Sequence, residues 1–484
     1  MKNFFKIAYF IAFVLLFSNC SKEYEVPANI IEHDFVWKGL NAYYLHQDQI
    51  ADLSDRRFNS DIQLNNYLNS FPDYNSLLSS LLLSGDEKST LVEDYNTITT
   101  PELRTAVTNG LEFGIIAEPG NANNVIGYVT HILPNSNAAS KTIIRGEFFY
   151  AVNGMQLTRT NYLDILLNGT ANFTLEMADF DGTTVTPNAK SVILEKQNYN
   201  YPATFLEKTT TINTDNIGYL LYNNDFSKNY INDLNNSFLS FKNQNVNELV
   251  LDFRYNIGGG SFAKNVSQIA SMITGQFPNE TLIKEKWNTK AQAWFQVNQP
   301  DSLITKFPSK ININTNINSL NLTDVYIVLN GNNFSGSSAI ELLINSLKPH
   351  INVHVIGNST SGNNTGSITL YNSQDYDFGL RNTSHTVALQ PIVLSFLNKD
   401  DETYENGHTP NIALCLNEDV LDLGVLGETS DPILNRVLNY ISTGNTGTNP
   451  TCNPNNFEYL FNSINPQREV DKGVFIHQNL PNTY

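Results

Sequence analysis

Cysteine is almost missing from this chain: there are three in 484 residues, at positions 20, 415 and 452. So few thiols exclude a disulfide-built scaffold. Basic residues are short too, 29 Lys and Arg against 47 Asp and Glu, and they form no cluster. The net charge of −18 and the lack of a basic groove exclude nucleic acid as a partner. The negative charge is spread along the chain and reads as solubility rather than as a binding site. Also missing are any His, Cys, Asp or Glu cluster with zinc spacing and any glycine loop closed by Lys-Ser/Thr. Neither a metal, a nucleotide nor another cofactor is therefore expected. Beyond the first 20 residues no apolar run is long enough to cross a bilayer. What is present is ample core material, 41% hydrophobic against 16% charged residues. The length suits roughly two to four domains.

The N-terminus has an order of its own. Lys2 and Lys6 precede an apolar stretch from Ile7 to Phe17, followed by Ser18-Asn19-Cys20. A basic start and so short an apolar region make a secretory signal, not a spanning helix. A cysteine directly after it resembles a bacterial lipobox, with Asn19 where a small residue is usual. Ser21-Lys22-Glu23 resembles the Lys-acidic signal that some Bacteroidetes use to send lipoproteins to the cell surface. The resemblance implies a signal peptide over 1–19, lipidation at Cys20 and a tether over 20–31. It places the protein in the bacterial cell envelope, lipid-anchored in the outer membrane, periplasmic or surface-exposed. In that oxidising compartment Cys415 and Cys452 either pair and tie down the tail or stay free.

Hydrophobic spacing divides the rest. Over 32–100, Phe35, Val36, Leu40, Tyr43 and Tyr44 and later Leu77, Leu78, Leu81 and Leu82 recur at helical intervals, with Pro72 between two helices. This N-terminal helical module carries no visible chemistry. Residues 103–190 change to short β-type runs, with a tight turn at Asn153-Gly154. From 205 to 442 apolar strands alternate with amphipathic helices, which argues for a sheet covered by helices. Residues 443–484 read as a linker and a C-terminal appendix.

Three segments of the α/β region carry chemistry. The run LVLDFRYNIGGG at 249–260 is a buried-type strand ending in glycines, a turn that presents backbone N–H groups as half of an oxyanion hole. Ser335-Gly336-Ser337-Ser338-Ala339-Ile340-Glu341 follows one strand and opens a helix. Serines there are either caps or an exposed nucleophile beside unpaired amides. The loop from Ile356 to Ser367 contains Thr360-Ser361-Gly362-Asn363, which sets an amide 25 residues after Ser338.

In this order the segments resemble the C-terminal processing (tail-specific) family of serine peptidases. Its strand ends in Leu-Asp-Leu-Arg-Asn-x-x-Gly-Gly, its nucleophile segment reads Ser-Ala-Ser-Glu, and its loop reads Thr-x-Gly-Lys. Aligning Glu341 on the family's glutamate implies Ser338 as nucleophile, with Ser337 as the second assignment. It implies oxyanion N–H groups at Gly258, Gly259 and Ala339. Asn363 falls where the general-base lysine belongs, and Ser367 where some relatives have glutamine. A Ser–Lys pair needs an amine desolvated until it accepts the serine proton; an asparagine amide has no such basic site. Among the histidines, His350, His354 and His385 read as packing or surface residues. His408 replaces the phenylalanine of the family's Gly-Phe-x-Pro.

Residues 103–190 resemble a PDZ domain, which captures C-terminal peptides as an added strand. The groove is expected beside Leu111, Glu112, Phe113 and Gly114; a small β domain without a ligand is the alternative. The whole implies an α/β peptidase core (ClpP/crotonase-like) plus a PDZ-like domain and a helical module. The implied function is recognition of polypeptides or protein C-termini, with hydrolysis impaired or absent because of Asn363. Two alternatives stand beside it: an active serine endopeptidase with a non-standard base, and a scaffold reused for a non-peptide surface ligand.

Overall fold

The computed structural model describes residues 26–98, 105–227, 230–256, 261–329, 336–410, 416–445, 457–464 and 473–476. The expectations for Cys20, Cys415, Cys452, Gly258 and Gly259 lie outside the described residues.

The chain opens with helices α1 (Ile31–Tyr43), α2 (Asp61–Leu68) and α3 (Tyr74–Leu81). Ser60 and Asp73 cap the latter two by accepting the Gln63 and Ser76 N–H groups, and Pro72 stands in the turn between them. Their apolar faces do not close a core of their own. Phe35, Val36, Leu40, Leu77 and Leu81 belong to the same cluster as Leu370, Tyr376 and Leu389 of the α/β region. The expected separate module is therefore a layer of that region. After α3 the chain turns, and β1 (Thr90–Val92) pairs antiparallel with Ala388–Gln390.

An antiparallel sheet follows: β2 (Leu111–Ala117), β3 (Val125–Ile132), β4 (Phe148–Val152), helix α4 (Tyr162–Leu166), β5 (Asn172–Phe180) and β6 (Val185–Glu195), paired in chain order. Phe113, Ile115, Val129, Phe149, Leu175 and Leu194 form its own core. Asn153 and Gly154 have φ of 52° and 75°, the left-handed pair that a two-residue hairpin turn requires.

Next come β7 (Leu206–Ile212), β8 (Asp215–Leu221), α5 (Ile231–Asn243), β9 (Glu248–Asp252), α6 (Ala263–Ile273), β10 (Thr281–Trp287), β11 (Ile304–Lys306) and β12 (Asp324–Val328). They lead to α7 (Ser338–Leu347), β13 (Asn352–Ile356), β14 (Thr365–Ser367), β15 (Ala388–Gln390), β16 (Ile392–Asn398) and α8 (Pro432–Thr443). One sheet has the order β7-β8-β9-β12-β13, parallel from β8 onward. Along β9 alternate residues face opposite sides. Leu249 and Leu251 join the cluster that contains α5, α6 and α7, while Val250 joins Ile433, Leu434 and Val437 of α8. Covering both faces explains the uninterrupted apolar run of this strand.

The second sheet has the order β11-β10-β16-β14, and β18 (Val474–Phe475) adds to β14. Before it in sequence, β17 (Tyr459–Asn462) adds to the outer edge of β2.

A buried ionic cluster fixes the β2–β6 sheet to the core. Arg254, fully buried, pairs with Asp252 at 2.6 Å, Asp431 at 2.5 Å and Glu418 at 3.1 Å. Arg145, from the loop before β4, adds a second guanidinium on Glu418 at 2.5 Å and also donates to the Tyr255 hydroxyl. Burial alone would raise the Glu418 carboxyl, but the two guanidiniums hold it down at about 2.

Candidate active site

Ser338 begins α7, and Ser337 takes the cap position before it. The Ser337 hydroxyl makes no capping bond and, though buried, has no hydrogen-bond partner among the described residues. A purely capping role therefore does not describe these serines. Ser338 and Ala339 are 2% and 1% exposed. The Ala339 N–H belongs to the first turn, where amides have no intrahelical acceptor. This suits the oxyanion role expected for it.

Residue 363 is brought to Ser338 by a glycine and a carboxylate. Gly362 has φ of 87°, and a Cβ there would lie 2.1 Å from the Glu405 carbonyl oxygen, so no other residue fits this crossing of two loops. The crossing is sealed by Thr360, whose N–H donates to the His408 carbonyl at 3.0 Å and whose Oγ1 accepts the His408 N–H at 2.7 Å. Beneath it lies Glu341 of α7, fully buried. Its carboxylate accepts the N–H groups of Gly362 at 2.6 Å and Asn363 at 2.8 Å and the Ser361 hydroxyl at 3.2 Å. The helix that carries the serine thus also holds the loop that carries its partner.

The Asn363 side chain donates from Nδ2 to Ser338 Oγ at 2.8 Å. Its orientation is set on the far side, where Oδ1 accepts from Thr365 Oγ1 at 3.2 Å and from Lys88 Nζ. Two donors on one end of an amide fix the oxygen there and turn the NH₂ to the serine. Asn363 can orient the hydroxyl and favour its ionised form, but it cannot take the proton.

Lys88 is the residue that sequence reasoning missed. It lies in the turn after α3, 275 positions before Asn363. Its Nζ also donates to Thr365 Oγ1 at 3.4 Å. Its backbone is anchored: Asp86 Oδ1 accepts the Lys88 N–H at 2.9 Å and the Ser89 N–H at 3.0 Å. Ser89 Oγ in turn accepts the Ile392 N–H at 3.0 Å. Nothing in the segment Asp86-Glu87-Lys88-Ser89 announces this position; the β1–β15 pairing and the Ser89–Ile392 bond bring it to the site.

The histidines are engaged elsewhere. His408 Nε2 lies 3.1 Å from the carbonyl of Glu341, the residue about one helical turn beyond Ser338, and Nδ1 lies 2.9 Å from Lys348 Nζ. Burial and the Lys348 charge push its imidazole down to about 4. His385 contacts Asn372 and Phe35; His354 pairs with Asp324 at 2.9 Å. Among the described residues no three His, Cys, Asp or Glu side chains converge to hold a metal ion.

The expected open edge at Leu111, Glu112, Phe113 and Gly114 is not open. β17 covers it antiparallel, Asn462 opposite Gly114 and Phe461 opposite Ile115. The Ser463 N–H donates to the Phe113 carbonyl, and Ser463 Oγ accepts the Phe113 N–H at 2.9 Å and donates to Glu112 at 2.5 Å. The Phe461 ring packs against Phe113 and against Tyr162 of α4. β18 then runs parallel to the strand that leaves residue 363, Val474 opposite Gly366, with the Phe475 N–H on the Ser261 carbonyl. The appendix therefore touches both sites that the sequence singled out.

The model of peptidase family S41 matches residues 216–413, the stretch that holds β9, Ser338 and Asn363. Among solved structures, a protein of Bacteroides fragilis NCTC 9343 classed with the S41 proteases superposes with a TM-score of 0.64 at 21% identity, covering 84% of this chain and 96% of that one. This likeness shows the fold. The photosystem II D1 C-terminal processing protease aligns over 84% of this chain and 100% of its own, at 17% identity and a TM-score of 0.46. No curated protein matches the chain significantly. Residues 216–413 thus match the model of peptidase family S41, and the chain shares the fold of the Bacteroides fragilis protein classed with those proteases.

Proposed function

We propose that this chain recognises polypeptides on an S41 scaffold in which Ser338 keeps the nucleophile's place and residue 363 no longer serves as base. The observation that carries this reading is the 2.8 Å contact in which Asn363 donates to Ser338, where a lysine would have to accept. Positioned proton transfer contributes typically about 10²–10⁴-fold, so a site left with residue 363 alone would turn over slower by about that factor. A polypeptide ligand follows from the family. A PDZ-like role for β2–β6 is supported by the chain's own segment at 459–462, which sits on β2 as an added strand with an aromatic side chain beside α4. An outside peptide would have to displace it. An envelope position with a lipid on Cys20 is supported by the N-terminal sequence alone, and Cys20→Ala should then release the protein from membranes.

Hydrolysis of an unfolded polypeptide by the wild type, Ser338→Ala and Asn363→Lys tests the site. The expected order, slowest first, is Ser338→Ala, the wild type and Asn363→Lys. Turnover that survives Ser338→Ala would overturn the nucleophile. A second reading, an active peptidase with its base supplied from outside residue 363, is favoured by one specific observation, the Lys88 side chain on the far end of the Asn363 amide.

A further inference from the structure

The family's own base position is empty of basicity, yet an amine stands one side chain away. Lys88 Nζ and Ser338 Oγ occupy the two ends of the same Asn363 amide, one on its oxygen and one on its nitrogen. We propose that Lys88, delivered by the turn between α3 and β1, is the base of this site in place of the lysine missing at 363. The proposal rests on Ser338 as nucleophile.

Three features support it. The turn is pinned at both ends, by Asp86 on the backbone amides and by Ser89 on Ile392, so the lysine is presented by a fixed main chain. Lys88 is neither fully exposed nor sealed in the core, which suits an amine that must be reached by the serine and by the leaving group. Its flexible four-carbon stem lets Nζ swing from one end of the Asn363 amide toward the other, where Ser338 Oγ lies. Asn363 then has a definite task. It parks the amine beside the serine and, through Nδ2–H, stabilises the oxygen that is about to lose its proton.

The step balances without any further reagent. Neutral Nζ takes the Ser338 hydroxyl proton as Oγ bonds to the substrate carbonyl carbon, and the carbonyl π pair moves to the oxygen. Collapse breaks the C–N bond, and the ammonium returns its proton to the departing amine. Water then adds to the acyl-serine, giving its proton to Nζ, and Ser338 recovers a proton as the acid leaves.

The test uses the full chain and a fluorophosphonate probe, with the rate of Ser338 labelling as readout and the melting temperature of each variant as a control of fold. Lys88→Met should slow labelling at least about 10²-fold. Lys88→Arg, which keeps the positive charge but cannot accept a proton, should not restore it. In Lys88→Ala, added methylamine should recover part of the rate, whereas guanidinium should not. Labelling of Lys88→Met at the wild-type rate, or full recovery in Lys88→Arg, overturns the proposal; the second result would leave Lys88 a positioning cation. Wild-type protein that never labels at Ser338 also overturns it. Polypeptide binding retained in that case would show that the recognition reading survives on its own.

Discussion

At Ser338 the chemistry turns on which way one hydrogen bond runs. The segments that carry Ser338 and its neighbour at 363 were both legible in the sequence, because a serine-rich helix start and a Thr-x-Gly turn are local features. The direction of the bond was not legible, since it depends on Lys88 and Thr365 holding the amide oxygen. Lys88 itself was illegible for the same reason: its role is made by tertiary approach across 275 positions, with no periodicity or motif to mark it. Glu341 offers a test at this scale. Its buried carboxylate takes three donors from the 361–363 loop, and bonds to a charged acceptor are worth about 1.5–3 kcal/mol each. Glu341→Gln sets an NH₂ against backbone N–H groups, so denaturant unfolding should show a loss of at least about 2 kcal/mol, with slower labelling of Ser338.

His408 gives a pH prediction. The fold favours its neutral form and lowers it from 6.5 to about 4, through burial first and Lys348 second. A depressed histidine contributes stability that is complete above the unfolded value near 6.5 and is lost as pH falls toward 4. The contribution is about 3 kcal/mol by linkage. In His408→Phe the drop in unfolding free energy between about pH 7 and pH 4.5 should shrink by about 2 kcal/mol. An unchanged drop would show that this imidazole is not the group that titrates.

At the scale of elements, the sequence read best where a single element is buried by its own pattern. Residues 249–252 lie in a central strand and 338–347 form α7, because apolar continuity and a 3.6-residue repeat state burial directly. It read worst at edges. The exposed edge expected on β2 is filled by β17, and strand pairing between residues 114 and 462 leaves no local trace. The same pairing yields a prediction. Phe461→Asp places a carboxylate between Phe113 and Tyr162 and should detach β17. Hydrogen exchange should then quicken at the Phe113 and Ala117 amides, which now donate to Ser463 and to Glu458. Peptides with a free C-terminal carboxylate should bind on the order of tenfold tighter than to the wild type, because no internal strand competes. Protection unchanged at both amides would mean that β17 is held by something other than Phe461.

Across the whole molecule, the β2–β6 sheet, the sheet centred on β9 and helix α8 meet at one buried charge cluster. Arg254, from the strand-end motif read as part of an oxyanion turn, pairs with carboxylates from three places, Asp252, Glu418 and Asp431. Removing one partner of a buried ionic group leaves the others uncompensated, at a cost of about 3–5 kcal/mol. Arg254→Met should therefore lower the melting temperature far more than Lys190→Met, whose pair with Glu147 is partly exposed. Comparable losses would show that the cluster does not hold the layers together. The same architecture brings the N-terminal turn with Lys88, the α7 start with Ser338 and the 363 loop to one point. The most direct test of that convergence is mass-spectrometric mapping of the fluorophosphonate adduct on the wild-type chain and on Lys88→Met. One adduct is expected, on Ser338 and not on Ser337, formed quickly only when Lys88 is present. An adduct on Ser337, or a wild-type chain left unmodified at Ser338, would contradict it.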